Sequence, residues 1–305
     1  MPESSDSSLH VPGLVGALLA TFAWGASGVI AKVLDMDSLA IVVYRFSIAS
    51  IVFLIWMTLR GIRLTPEKMR LAAPAGIALA LDVALFFSAV KETTVANATV
   101  IGALQPVLML GVARRFLGEE ISRAQVLWSL AAVGGVTFLI FGSSGLPGWS
   151  MRGDLLAVSA LFAWTAYLFL VKTSQSDRLS TTEFTTAVAI YTAVLVIPLA
   201  IVFGQDLSWP SRNSWLLLFL MAFGSGLLAH PLMNWALARI PVSIGSAMTL
   251  LVPVSATILA SLFADEVISL VQVVGISIVL LSLAMLTREQ AARRAAQANR
   301  ATATA

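Results

Sequence analysis

The sequence contains no cysteine, only two histidines and very few charged residues. Without a thiol it has no disulfide, no thiolate nucleophile and no cysteine metal site. Only 11% of its 305 residues are charged, against about 25% in an ordinary soluble domain. Two histidines are also too few for a histidine-rich metal site. These absences exclude a soluble enzyme and a disordered chain, and no stretch is long and polar enough for a large extramembrane domain.

Long apolar runs account for most of the chain, since 58% of the residues are hydrophobic. The runs are continuous rather than alternating, which argues against a transmembrane β-barrel. In the hydrocarbon core every backbone N–H and C=O needs an internal partner, so we expect each run to be a helix. The sequence therefore predicts an all-α polytopic membrane protein with ten transmembrane helices. Their approximate bounds are Val11–Val33, Leu39–Leu59, Leu71–Val90, Val95–Ala113, Gln125–Phe141, Asp154–Val171, Thr182–Phe203, Ser214–Leu237, Val242–Ala264 and Ile268–Leu286.

The distribution of basic residues predicts the orientation. The first ten residues carry acidic side chains but no Lys or Arg, so we expect the first run to be a permanent helix and not a signal peptide. With the N-terminus in the cytoplasm, 14 of the 19 Lys and Arg fall on the cytoplasmic side. The positive-inside rule then predicts that both termini are cytoplasmic in a bacterial inner (plasma) membrane. The tail Gln290–Ala305 fits either a helix on the membrane surface or a frayed end.

Two stretches of the chain return later in the same order. Gly13–Lys32 aligns with Gly153–Lys172, and Leu104–Ser122 aligns with Leu251–Ser269. Duplication accounts for this better than chance similarity among apolar helices does. Five helices per copy is an odd number, so the second copy would enter the membrane from the opposite side. We therefore predict two inverted five-helix repeats, residues 1–145 and 146–288, followed by a cytoplasmic tail, residues 289–305. Such repeats are typical of secondary transporters.

Short motifs lie at matching places in the two copies. The first copy carries Trp24-Gly25, Tyr44-Arg45-Phe46, Gln105-Pro106-Val107 and Gly118-Glu119, and the second carries Trp164, Pro253-Val254 and Glu266. This pattern resembles the EamA-type ten-helix exporters of the drug/metabolite transporter superfamily. The second copy departs from it, because Thr165 follows Trp164, Asp265 precedes Glu266 and no arginine matches Arg45. The resemblance implies export of small metabolites, amino acids first among them, by alternating access.

Polar residues within the spans are the first candidates for a binding site, because they are costly there unless they face the bundle interior or a cavity. Asp82 lies well inside the third span, with Phe86 one turn later. His230 lies inside the eighth span, with Asn234 one turn later. The two positions are nearly equivalent in the repeats. Each also has a structural interpretation: a hydrogen bond to a neighbouring helix for Asp82, and a satisfied packing role for His230.

Two indoles and several helix-bending prolines complete the predicted site. Trp24 and Trp164 occupy equivalent mid-span positions, where they either wall a cavity for aromatic or cationic ligands or pack the two repeats together. Prolines should bend the helices beside the cavity. Additional lining residues are expected near these bends. The bends are at Pro106, Pro231 and Pro253, and the expected lining residues are Thr99, Gln105, Met248 and Thr249.

Three further residues are expected to have structural roles. Arg45 would pair with a helix end or an acid, or extend to the outer surface. Glu119 and Glu266 lie at span ends, where helix capping or loop ordering is the expected role. The sequence predicts no catalytic residue, no metal ligand and no cofactor.

Other functions remain as alternatives. A polytopic membrane enzyme lacks support because neither HExxH nor GxSxG occurs, and the chain is therefore not expected to be an enzyme. A channel lacks a filter-like run. Exporters of drugs or other metabolites stay open within the same superfamily. The expected partners are a small-molecule solute and the lipid bilayer, with no nucleic acid. The oligomeric state stays open, and a monomer is compatible with the sequence.

Overall fold

The computed structural model describes residues 10–304, except Thr94 and residues 145–149, 175–178 and 264–266. The first half of the described chain forms six helices: α1 (Val11–Val33), α2 (Ser38–Leu59), α3 (Pro66–Glu92), α4 (Val95–Gly102), α5 (Gln105–Phe116) and α6 (Arg123–Ser144). The second half continues with α7 (Met151–Ser174), α8 (Thr181–Val202), α9 (Arg212–Met221), a π-helical segment (Ala222–Ala229), α10 (His230–Leu237), α11 (Val242–Met248), α12 (Leu251–Phe263) and α13 (Leu270–Thr304).

Within the described residues, nine helical stretches are long and apolar enough to cross a membrane. They coincide with nine of the ten predicted segments. The fourth predicted segment, Val95–Ala113, differs because it is divided into α4 and α5, of 8 and 12 residues. Neither reaches the roughly 20 residues that a single spanning helix needs. The break lies at Ala103 and Leu104, just before Pro106, whose missing N–H and ring favour the start of a new helix.

The eighth and ninth predicted segments are also interrupted. In the eighth, the backbone changes to π-helical hydrogen bonding over Ala222–Ala229 and returns to α-helix at His230, directly before Pro231. In the ninth, a turn at Thr249 and Leu250 separates α11 from α12. Irregular backbone at membrane depth is tolerated only where it is buried in protein or lines a cavity. These breaks therefore mark the parts of the bundle where a cavity is expected.

The C-terminal tail is helical and continuous with the last span. Helix α13 runs for 35 residues, from Leu270 to Thr304, and so exceeds the roughly 20 residues needed to span a bilayer. Residues after Gln290 therefore extend the helix instead of forming a separate element. Of the two interpretations of the tail, fraying does not describe it.

Small residues allow the helices to approach closely. Helices α6 and α13 meet at Gly135 and Gly275, where a Cβ on Gly275 would lie 2.6 Å from the Gly135 carbonyl oxygen. Helices α3 and α8 meet at Gly76, where a Cβ would lie 2.4 Å from the Cβ of Tyr191. Without a hydrophobic driving force between helices in lipid, such small-residue contacts let van der Waals packing hold the bundle together.

The apolar surface is turned outward, as a lipid-facing bundle requires. Leu59, Val202 and Leu216 are 82%, 78% and 71% exposed. The interior holds an extensive core contributed by α1, α2, α3, α7, α8 and α10. Because large aliphatic side chains on this scale would be unfavourable in water, the exposed faces fit a hydrocarbon environment.

Candidate functional site

A cavity of about 410 Å³ lies among the helices. It is bounded by α1, α2, α3, α4, α6, α7, α9, α10 and α12, and by the turns that follow α4 and α11. Its wall is mostly apolar, with a small number of polar side chains. The polar lining residues are Ser27, Arg45, Asp82, Thr99, His230 and Thr249, together with the indoles of Trp24 and Trp164.

The aromatic wall of the cavity is one connected cluster. The rings of Trp24 and Trp164 meet edge to face with centroids 5.8 Å apart. On its other side Trp24 contacts the imidazole of His230, with centroids 5.1 Å apart. Trp164 stacks on Tyr167 at 5.2 Å. Aromatic pairs prefer these edge-to-face and offset-stacked arrangements, so the cluster holds its rings in defined orientations.

Buried hydrogen bonds fix the back of this cluster. The hydroxyl of Tyr167 donates to Asn234 Oδ1 at 3.0 Å, and Asn234 Nδ2 donates to Thr185 Oγ1 at 2.9 Å. All three residues are buried. The chain of bonds ties α7, α10 and α8 together, and it holds the ring on which Trp164 stacks. Asn234 therefore supports the wall from behind and does not line the cavity.

His230 lies where the π-helical segment gives way to α10. Its ring packs against Trp24 and against Phe46, whose centroid is 5.7 Å away. Its Nδ1 is buried and has no hydrogen-bond partner among the described residues. The histidine thus presents an unused polar atom next to the indole wall.

Arg45 lies in the cavity wall instead of reaching the membrane surface. Its Nη1 donates to Ser225 Oγ at 3.3 Å, and its Cζ lies 4.7 Å from the centre of the Phe46 ring. Its Nε is buried without a partner in the described part of the chain. The extended, outward conformation considered from the sequence is therefore wrong. The reason is that α2 packs on α8 and on the π-helical segment, which turns this face of α2 inward.

Asp82 lies on α3 and lines the same cavity. Its side chain is partly exposed to that space. None of the described residues forms a hydrogen bond or ion pair with it. The interhelical hydrogen bond considered from the sequence is therefore not made within the described chain, and the carboxylate is open to a solute.

Seven of the ten predicted binding residues line the cavity, and three do not. Gln105 is 1% exposed at the start of α5, and neither polar atom of its amide has a partner among the described residues. Met248 ends α11, one residue before the lining residue Thr249. Asn234 lies behind the aromatic wall. The seven that line it are Trp24, Asp82, Phe86, Thr99, Trp164, His230 and Thr249.

The predicted bending residues lie at or near the helix breaks. Pro106 is in the first turn of α5, Pro231 is in the first turn of α10, and Pro253 lies in α12 beside the cavity. Each of the three helix breaks thus has a proline within a few residues of it, and each lies beside residues that line the cavity. Glu266 lies outside the described residues.

Glu119 caps a helix of the other half of the chain. Its carboxylate accepts hydrogen bonds from the backbone N–H of Val242 at 2.8 Å and from the hydroxyl of Ser243. These are the first two residues of α11, where backbone donors have no partner within the helix. Nearby, Lys172 Nζ donates to the carbonyls of Leu237 and Ile240 at 2.7 and 2.8 Å, where α10 ends. Glu119 thus links the two halves at this end of the bundle, while Lys172 links α7 to the end of α10 within the second half.

The sequence-based prediction omitted several residues of the site, among them one serine and two aromatic residues. Ser27 lines the cavity one helical turn after Trp24, and Phe87 follows Phe86 on α3. Tyr167 lies three residues after Trp164. A spacing of three residues from each predicted indole was the signal for Ser27 and Tyr167, because residues three apart share a helix face. Among the described residues, no group of His, Asp and Glu is placed to hold a metal ion.

Comparison with known proteins places these features in a family. The EamA-like transporter family model matches the chain twice, over residues 11–141 and 151–288. A solved crystal structure has a similar fold, with a TM-score of 0.80 and 20% identity over 91% of this chain and 96% of that one.

Similar sequences occur among bacterial transporters. The uncharacterized transporter YwfM of Bacillus subtilis (strain 168) is 24% identical over 92% of this chain and 95% of its own length. The uncharacterized transporter YyaM of the same organism is 29% identical over 79% and 81%. The pseudopaline exporter CntI of Pseudomonas aeruginosa is 25% identical over 50% and 54%. Since the family model covers most of both halves, the chain belongs to the EamA-like transporter family, a multi-pass membrane transporter family of the drug/metabolite transporter superfamily.

Proposed function

We propose that the protein exports small metabolites, above all amino acids with bulky apolar side chains, by alternating access to the central cavity. The observation that carries the proposal is a cavity walled by two indoles with few but opposite charges among its polar groups. Its volume of about 410 Å³ lies within the roughly 300–1,000 Å³ of small-molecule sites. Apolar walls with a few placed polar groups are also typical of such sites.

An inverted duplication supports alternating access. The family model matches twice, once in each half. The packing of helices follows the same pattern: α1 packs on α12 while α7 packs on α4, and α3 packs on α7 while α10 packs on α1. If each of the first five segments is exchanged with the corresponding one of the last five, the first contact of each comparison becomes the second. The contacts between α2 and α8 and between α6 and α13 are unchanged by this exchange. Two similar halves can exchange conformations and so expose one site to either side.

The same correspondence supports a tenth span. Helices α4 and α5 are separated by a turn before Pro106, as α11 and α12 are separated by a turn before Pro253. Since Val242–Phe263 is long and apolar enough to span a membrane despite its turn, α4 and α5 together take the equivalent place in the first half. Ten spans with the N-terminus inside then put both termini in the cytoplasm. The excess of Lys and Arg on that side supports this orientation in a bacterial inner membrane.

Contacts at one end of the bundle support a gated pathway. Lys172 and Glu119 link α7 and the α5–α6 connection to the ends of α10 and α11. In the proposed orientation this end is cytoplasmic. The links therefore belong to a state closed towards the cytoplasm, and they would have to open when the solute enters for export.

The direction of transport rests on relatives. CntI is named a pseudopaline exporter, and the similarity covers half of this chain. This relative, which belongs with the chain by sequence similarity, supports export as the direction of transport. The choice of amino acids as the solute class rests on the cavity and not on that relative.

Transport by purified protein in liposomes tests the proposal. Vesicles preloaded with one unlabelled amino acid should accumulate the same labelled amino acid at a saturable rate. The Asp82→Ala variant should lose most of this exchange while it remains monodisperse, because it removes one of the charges that face the cavity. Asp35→Ala, at an exposed carboxylate in the connection between α1 and α2, is the matched control and should exchange normally.

Three outcomes would contradict the proposal. A rate linear in solute concentration would indicate a channel. Absence of exchange across a panel of amino acids would exclude them as substrates. Equal exchange by Asp82→Ala and the parent protein would remove Asp82 from the site.

A further inference from the structure

Two side chains of opposite charge line the cavity without pairing with each other. Arg45 lies on α2 and Asp82 on α3, and both line the cavity. They do not form an ion pair with one another, although both are fully described. A charge at membrane depth is costly and normally finds a partner. Each of these groups therefore has the capacity to bind an oppositely charged group of a solute.

The guanidinium of Arg45 is held on two sides and has donors left over. Phe46 lies beneath it at 4.7 Å, and Ser225 accepts one hydrogen bond from Nη1. Its Nε has no partner among the described residues. A guanidinium carries five N–H donors, and it binds a carboxylate through two of them in a planar, bidentate arrangement. The N–H groups of Nη1 and Nη2 that Ser225 does not use fit this arrangement.

A serine pair orients this end of the cavity. Ser225 donates its own proton to the Met221 carbonyl at 2.9 Å, so its lone pairs are left to accept from Arg45 and from Ser27, whose Oγ is 3.2 Å away. Ser225 lies in the π-helical segment, and such segments are frequent at functional sites. The backbone irregularity thus places the serine that holds the arginine.

The aromatic wall adjoins the same end. Trp24 precedes Ser27 by three residues on α1 and therefore shares its helix face. Its ring contacts Trp164, which belongs to α7. An apolar group attached to a carboxylate on Arg45 would meet these indoles.

Asp82 provides the other charge. It accepts no hydrogen bond from the described residues, and Phe86 follows it by one helical turn in the cavity lining. A carboxylate with open lone pairs in an otherwise apolar wall suits an ammonium group, which has three donors.

From this arrangement we infer that the cavity binds both charged groups of an amino-acid zwitterion, with Arg45 binding the carboxylate and Asp82 the ammonium. It discriminates against the corresponding amine, which lacks the carboxylate, and against the corresponding acid, which lacks the ammonium. This inference rests on the proposed function and adds the residues that recognise the substrate. A cavity that only sorted solutes by apolar bulk would accept all three compounds.

Competition in liposomes tests the inference. Exchange of labelled tryptophan is measured while unlabelled tryptophan, tryptamine or indole-3-propionate competes. For the parent protein we expect tryptamine and indole-3-propionate to inhibit at least about tenfold more weakly than tryptophan, since one charge-assisted contact is lost. The three compounds share the indole, so the comparison isolates the charges.

Two variants should change this order in opposite directions. Arg45→Gln should weaken tryptophan and leave tryptamine unchanged, so that the two become equal. Asp82→Asn should weaken tryptophan and leave indole-3-propionate unchanged. Arg63→Gln and Asp35→Asn, at exposed positions outside the cavity, are the matched controls and should keep the order of the parent protein. A general loss of folding would weaken all three compounds together.

The outcomes separate this inference from the proposed function. If tryptophan and other amino acids are not exchanged at all, both fail. If tryptophan is exchanged but the three compounds inhibit the parent protein equally, only the inference that the cavity binds both charged groups is overturned. It is overturned as well if both variants weaken the three compounds by the same factor, because Arg45 and Asp82 would then be structural.

Discussion

The indole rings of Trp24 and Trp164 meet edge to face, 5.8 Å between centroids and with 74° between their planes. One belongs to the first segment of the chain and the other to the sixth, so the contact joins the two halves at the cavity. Each ring also has a second aromatic neighbour, His230 for Trp24 and Tyr167 for Trp164. The pair is therefore both a lining of the cavity and a contact between the two halves.

Replacing either indole should weaken solute binding more than it weakens the fold. We expect Trp24→Ala or Trp164→Ala to raise the KM of exchange several-fold, because an aromatic face is lost from the cavity. In a double-mutant cycle the two substitutions should couple by about 0.5–1.5 kcal/mol, as edge-to-face pairs do. Saturation curves in liposomes give the KM values.

Trp209→Ala is the control for the indole substitutions, since that ring is 80% exposed in the connection between α8 and α9. Its KM should equal that of the parent protein. Additive effects of Trp24→Ala and Trp164→Ala would mean that the ring contact itself contributes nothing.

Lys172 should hold one end of the pathway closed. Its ammonium donates to the carbonyls of Leu237 and Ile240, at the end of α10. Lys172→Met keeps much of the chain length but removes both bonds, so α7 and α10 should separate more often. The chain has no cysteine, which allows a single Ala160→Cys reporter in the cavity lining to be labelled without background.

The measurement is the rate at which a membrane-impermeant maleimide modifies the Ala160→Cys variant in inside-out vesicles. We expect the rate to rise several-fold when Lys172→Met is added. Adding Arg63→Met, at an exposed position, should leave it unchanged. An equal rate with and without Lys172 would show that these two bonds do not control access.

Glu119 should stabilise the fold by capping α11. Its carboxylate accepts from the Val242 N–H and the Ser243 hydroxyl, and a lost cap costs about 0.5–2 kcal/mol. Glu119→Ala should therefore lower the midpoint of thermal unfolding in detergent, while Glu119→Gln, which keeps an acceptor, should lower it less. Glu120→Ala, at the exposed neighbouring position, is the comparison. Equal midpoints for Glu119→Ala and the parent protein would contradict a capping role.

Apolar length predicted the spans well, because a helix must continue as long as lipid surrounds it. The first span, Val11–Val33, was predicted with the bounds that it has. The π-helical segment was not predicted, because no residue type marks a change from α- to π-helical hydrogen bonding. Ser225 was therefore missed as the partner of Arg45.

The inward direction of Arg45 depends on a contact with a residue far away in sequence. Ser225 lies 180 residues later, and a single sequence gives no sign of that pairing. By contrast, Trp24, Trp164, Asp82 and His230 were found because each is unusual at the centre of an apolar span. Sequence thus identified residues by their cost in lipid, but it could not assign their neighbours.

The glycine after Trp24 should be indispensable for the approach of α1 to α12. A Cβ on Gly25 would lie 2.0 Å from Ser255 Oγ and 2.8 Å from the backbone nitrogen of Ala256. The hydroxyl can rotate away, but the backbone of α12 cannot, so Gly25→Ala should force the two helices apart. The cavity lining on both helices, Trp24 and Pro253, would be displaced with them.

We expect Gly25→Ala to lower both the folded yield and the exchange rate, and Ser255→Ala to rescue it only in part because the backbone contact remains. Gly111→Ala on α5 is the matched control, since no atom lies within 4 Å of the added methyl group. There the substitution should be neutral or slightly stabilising, because alanine favours a helix over glycine. The second half needs no glycine at the equivalent position: Thr165 follows Trp164 and is buried, with its hydroxyl donating to the Leu161 carbonyl at 2.7 Å. If Gly25→Ala behaved like Gly111→Ala, the close approach of α1 and α12 would not be required for folding or transport.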